Sequence, residues 1–167
     1  MRDGERRRAF LSSLVLYPSS RLSRYAPLAA WAALIIFASS VSFSASNTSR
    51  IIRPLLLWLF PDMTEGALLQ AHFLVRKAAH FTEYAVLSLL AARAFLNSTR
   101  GRLRERWWLA VVVVVAGLAL LDEYRQSFLP SRTGTVYDSL LDMAGGAAAL
   151  AVVAAWRLLL GRRRVRL

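Results

Sequence analysis

Apolar residues along this chain gather into four stretches, Pro27 to Phe43, Ala78 to Leu96, Trp107 to Leu121 and Leu140 to Leu160. A backbone that crosses lipid must satisfy its own N–H and C=O groups, so each stretch predicts a helix. The pattern as a whole predicts an all-α polytopic membrane protein with four transmembrane helices. Pro27 stands at the start of the first, where its missing N–H does no harm. The third stretch has only 15 residues, about 22 Å of helix against a hydrocarbon core of about 30 Å. That helix is therefore expected to continue through Asp122, Glu123, Tyr124, Arg125 and Gln126, with Pro130 ending it. The longest connection, Ser44 to Arg76, contains Leu55 to Phe60 between Pro54 and Pro61, a segment too short to span. It predicts either an interfacial or re-entrant segment anchored by Trp58, or a loop packed on the bundle.

Composition agrees with lipid as the solvent. Of 167 residues, 56% are hydrophobic, more apolar surface than a soluble domain of this size hides. The length suits one domain, residues 26–160, between a basic tail (1–25) and a basic C-terminus (161–167). There is no cysteine, which removes disulfides, thiolate metal sites and cysteine nucleophiles. The formal charge is +12, and 21 of the 22 basic residues are Arg. Under the four-span topology 16 basic residues fall on one side and 6 on the other. The positive-inside rule then puts both termini and the connection Arg93 to Arg106 in the cytoplasm, with Trp107, Trp108 and Trp156 at that boundary. Orientation thus accounts for the charge, and no nucleic-acid partner is expected. "SFSAS" at 42–46 looks like a signal cleavage point, but the run from Leu28 to Phe43 is long for a signal core, so a retained span is expected.

Polar residues then fall in one place. Asp122, Arg125 and Gln126 follow the i, i+3, i+4 rule of a helical face, with Glu123 beside them. Lys77, His80, Glu83 or Tyr84, and Leu87 form a stripe on the second span. Asp138 and Asp142 open the fourth span one turn apart, and Gly145, Gly146 and Ala149 continue their stripe inward, where small residues admit a neighbouring helix. Ser39, Ser40, Ser42 and Ser44 add hydroxyls from the first. All of these lie towards the outer side, whereas the opposite helix ends carry only arginines and tryptophans. Charged groups at such depth face protein or water and pair with one another.

At these residues the sequence resembles the VanZ-like family of small bacterial membrane proteins. A pattern K-x-x-H-F-x-E-Y is matched by Lys77, His80, Phe81, Glu83 and Tyr84. A second block is matched by Asp122, Glu123, Gln126, Phe128, Pro130, Arg132, Asp138, Asp142 and Gly145. Ser39-Ser40 is similar to a serine pair in the first span, although Val41 stands where many relatives carry Gln. The resemblance covers about residues 28 to 150. It implies a multi-pass protein of the bacterial cytoplasmic (inner) membrane and an association with resistance to the lipoglycopeptide teicoplanin. It does not imply a particular reaction.

Three roles for the cluster follow. In the first, its ion pairs fix helix register and do no chemistry. Alternatively, Lys77, His80, Glu83, Tyr84, Asp122, Glu123, Arg125, Gln126, Arg132, Asp138 and Asp142 line a pocket at the outer leaflet. Its partner would be a membrane lipid, a lipid-linked envelope molecule or a lipoglycopeptide, with Arg125 and Arg132 on phosphate or carboxylate. In the third reading the protein is an intramembrane enzyme, acid/base or metal-assisted, with His80, Glu83 and Asp122 as catalytic candidates. No H-E-x-x-H pattern, Gly-rich phosphate loop or nucleophile elbow is present, so neither a metal nor a cofactor is expected.

Overall fold

A computed structural model of the chain describes residues 21–40, 44–128 and 136–164. Among the described residues there are six α-helices and no strand. They are α1 (Arg21–Ala38), α2 (Ala45–Leu59), α3 (Glu65–Leu96), α4 (Gly101–Glu105), α5 (Trp107–Gln126) and α6 (Val136–Arg164). α3 touches every other described helix and packs most extensively on α6, then on α5 and α1. The buried seam holds Ile35, Tyr84, Leu87, Ala91, Phe95, Val111, Val115 and Ala119. Many large apolar side chains instead face outward, among them Phe37, Leu89, Val113, Leu120, Val152 and Leu158. An apolar exterior of that extent suits contact with lipid. Two segments, Trp107–Gln126 and Tyr137–Leu159, are long and apolar enough to cross a membrane.

Side-chain contacts set the helix directions. Tyr25 bonds Ser98 at 3.0 Å, and the Trp31 indole N–H donates to the Glu83 carbonyl at 2.9 Å. As α1 advances, its partners on α3 recede, so the two run antiparallel. Lys77 pairs with Asp138 and His80 meets Asp142, so α3 and α6 run parallel. Trp107 at the start of α5 stacks on Arg157 near the end of α6, with the guanidinium carbon 5.6 Å from the ring centre. α5 is therefore antiparallel to α6. The four long helices alternate in direction, and the outer-side ends predicted from charge all lie together.

Several boundaries differ from the hydropathy reading. α1 is already helical at Arg21, the first described residue, ahead of the apolar run, and there Tyr25 packs against Phe95 and bonds Ser98. Pro27 consequently sits inside the helix and not at its first position. α1 ends at Ala38, so Ser39 and Ser40 form a turn and not a further helical turn. The connection from Ser44 to Arg76 is mostly helical. Leu55 to Leu59 belongs to α2, which begins at Ala45 and carries Pro54 within it, with Phe60 as its C-cap, so this segment is helical and not a loop. α3 starts at Glu65, well before Ala78. Thr64 caps it by accepting from the Ala67 N–H at 3.3 Å, and Glu65 in its first turn forms an ion pair with Arg53. Pro130, Val41 and Ser42 lie outside the described residues.

Gly145 and Gly146 allow the closest approaches. A Cβ on Gly145 would stand 2.2 Å from the Phe81 carbonyl oxygen, and one on Gly146 would stand 2.5 Å from Val115 Cγ1. The first obstacle is backbone, which cannot rotate away. Gly145→Ala is expected to force α3 and α6 apart and cost about 1–3 kcal/mol. Gly117→Ala has open space and serves as the comparison. Thermal unfolding in detergent should show a clear drop for the first and no drop for the second.

Candidate functional site

Where α3 and α6 run parallel, two polar ladders meet. Lys77 forms its ion pair with Asp138 and also lies over the Phe73 ring, 5.2 Å from its centre. About one turn deeper, His80 Nδ1 is 3.3 Å from Asp142 Oδ1, and Asp142 is fully buried. Tyr84, one turn further, is also fully buried. Nδ1 is thus the ring nitrogen turned towards the buried carboxylate.

A second knot ties α5 to the end of α1. Asp122 Oδ2 accepts from Ser39 Oγ and from Gln126 Nε2, each at 2.7 Å, and all three residues are buried. Glu123 is half-buried beside them. Arg125 does not join this knot. It is exposed and reaches the Ile36 carbonyl at 3.4 Å. At about 100° per residue, Gln126 lies about 40° from Asp122 while Arg125 lies about 60° to the opposite side. That spread is enough to turn a guanidinium out of the bundle. Arg132 lies outside the described residues.

Between α1, α2 and α3 lies a cavity of about 140 Å³, and its polar lining is Ser39, Thr48, Arg76, His80 and Glu83. Ile52, Val75, Ala38 and Ala79 complete the walls. Arg76 Nη1 donates to Thr48 Oγ1 at 3.2 Å, and Thr48 Oγ1 is 3.0 Å from the Ser44 carbonyl and 3.1 Å from His72 Nε2. A hydroxyl has one proton to give. If Thr48 spends it on Ser44, it accepts from both Arg76 and His72. The cavity therefore presents a guanidinium, an imidazole, a carboxylate and two hydroxyls within one small volume. Among the described residues, no group of three or more His, Asp or Glu side chains is placed to hold a metal ion.

Of the residues expected from sequence, Lys77, His80, Tyr84, Asp138 and Asp142 meet at the α3–α6 seam, and His80 and Glu83 reach the cavity. Asp122 and Gln126 lie across from them on α5, joined to the cavity through Ser39. Arg76, Thr48 and His72 are additions. The hydropathy pattern puts both Arg76 and His72 in the long connection from Ser44 to Arg76. Their register was available in the sequence, since 72, 76, 80 and 83 repeat at helical spacing once α3 is extended upstream.

The VanZ/LLP1 family profile matches residues 25–158, most of the chain and all of this polar constellation. The chain belongs to the VanZ/LLP1 family. No curated protein and no solved structure matches it. Membership and two apolar helices mark this VanZ/LLP1 chain as a membrane protein.

Proposed function

We propose that the chain crosses the bacterial inner membrane four times with both termini in the cytoplasm, and that its cavity holds the polar head of an envelope lipid or lipid-linked precursor. Helix length supports the spans, and the excess of basic residues in the two termini and the Arg93 to Arg106 connection supports the orientation. Counted from Leu96, Arg76 lies about 30 Å up α3, one hydrocarbon thickness from the cytoplasmic side. Counted from Trp107 and Trp156, Asp122 and Asp142 lie about 21–23 Å up their helices, within the outer leaflet. α2 supports it too, because Ile51, Leu55, Trp58 and Leu59 make one exposed apolar face suited to lying in the interface.

The mixed lining of the cavity is the observation that carries the reading. Arg76 is placed for a phosphate oxygen, and Glu83 accepts from a hydroxyl or ammonium on the same head. Thr48 and Ser39 supply further hydrogen bonds. A volume of about 140 Å³ equals about five waters at about 30 Å³ each, enough for a phosphate and its immediate neighbour. The remainder of a longer head would extend outward. Occupying such heads, or a lipoglycopeptide that binds near them, is how the protein would alter sensitivity to teicoplanin-type drugs.

The His80–Asp142 pair favours a second reading, in which His80 acts as a general base on the bound head. One experiment separates the two. Purified protein is incubated with short-chain phosphatidylglycerol and with a lipid-linked sugar phosphate, and bound and free lipid are weighed by mass spectrometry. A complex with unchanged ligand mass is the expected result. A mass change that disappears in His80→Ala would establish the enzyme, and no complex with either lipid would remove the binding role.

A further inference from the structure

A second cavity lies at the opposite end of the bundle. It measures about 220 Å³ and is lined by Arg21, Tyr25, Thr99, Arg100 and Leu103, where α1 meets the connection from α3 to α4. Its walls are fixed. Ser98, which is buried, accepts from the Tyr25 hydroxyl at 3.0 Å and from the Arg100 backbone N–H at 3.2 Å. These bonds leave the two guanidiniums and the Thr99 hydroxyl as donors at the rim. Among the described residues neither Arg21 nor Arg100 has a carboxylate in salt-bridge range. Leu103 gives the cleft an apolar side, partly buried against the core.

We infer that this cleft binds the phosphate of an anionic phospholipid headgroup. Two arginines at one opening suit a phosphate that carries no cation of its own, because each guanidinium offers paired N–H donors to two oxygens. The volume equals about seven waters, room for a phosphodiester with its glycerol. The position at the arginine-rich end of the bundle is where basic pockets between helices meet headgroups. The leaflet assigned to the cleft, the cytoplasmic one, rests on the proposed orientation, but headgroup binding itself does not.

The test uses the full chain in nanodiscs of phosphatidylcholine with a minor share of phosphatidylglycerol, released into native mass spectrometry. The double variant Arg21→Gln/Arg100→Gln is compared with Arg102→Gln/Arg104→Gln, which removes equal charge from exposed positions that do not line the cleft. The first pair is expected to lower phosphatidylglycerol retention about ten-fold and the second pair to leave it within about two-fold. Equal loss in both pairs would show a diffuse field without a site, and unchanged retention in the first would remove the proposal. Added inorganic phosphate distinguishes sources: lipid that stays bound identifies the headgroup as ligand, and lipid that is displaced identifies the anion alone as sufficient. Arg76→Gln reports on the outer cavity separately, so failure there leaves this result standing.

Discussion

Replacing Arg76 by glutamine is expected to weaken binding of a short-chain phosphatidylglycerol to the outer cavity by about 10- to 100-fold. A hydrogen bond to a charged group is worth about 1.5–3 kcal/mol, and about 1.4 kcal/mol is a factor of ten in affinity. Arg76 is the cavity's only guanidinium among the described residues. Its contact with Thr48, at 3.2 Å, keeps it in place beside the opening. Lysine at the same position keeps the charge but loses the paired donors, so Arg76→Lys should fall between wild type and glutamine. Arg125→Gln is the comparison, because Arg125 is exposed and contacts the α1 backbone away from the cavity. It should change affinity by less than about two-fold. Calorimetric titration in detergent measures all four proteins. Equal losses in Arg76→Gln and Arg125→Gln would show that binding follows charge in general and not the cavity guanidinium.

Asp122→Ala should be the most damaging single change to the fold, costing about 2–4 kcal/mol. One carboxylate oxygen receives both Ser39 and Gln126 at 2.7 Å, and the residue is only 1% exposed. Removing it strands two buried donors, each worth about 1–3 kcal/mol. Because Ser39 directly follows α1 and Asp122 belongs to α5, the same change loosens the first helix from the bundle and disturbs the cavity wall. Asp122→Asn retains an acceptor for one donor and should cost less. Unfolding in detergent of the single changes Ser39→Ala and Asp122→Ala, and of the double, measures the pair. A coupling near zero would mean that the bond does not hold α1.

The sequence disclosed the helical class, and the structure brings Asp138 and Asp142 of α6 onto the Lys77 and His80 stripe of α3. Those features rest on periodicity and on charge asymmetry, both of which are local or additive. The beginning of α3 was hidden because hydropathy falls between Glu65 and Lys77, although Thr64 and Glu65 carry the marks of a helix start. Missing that start also hid Arg76 and His72, whose shared face is visible only if the helix runs through them. Arg125 went astray for a different reason. Spacing alone gives two directions about 100° apart for i+3 and i+4, and only the neighbouring α1 decides which enters the bundle. The cavity itself needs α2, whose helix bears a proline that reads as a break.

In the proposed topology the acids and cations from separate helices meet beneath the outer membrane boundary. The chain contains no cysteine, so single cysteines can be placed without altering any native thiol. Ser127→Cys, just beyond α5, and Thr99→Cys, between α3 and α4, lie at opposite ends of the bundle. Labelling intact cells with a membrane-impermeant maleimide should modify Ser127→Cys and leave Thr99→Cys unmodified until the cells are opened. Labelling of Thr99→Cys from outside with Ser127→Cys protected would place the cluster on the cytoplasmic side and contradict the account.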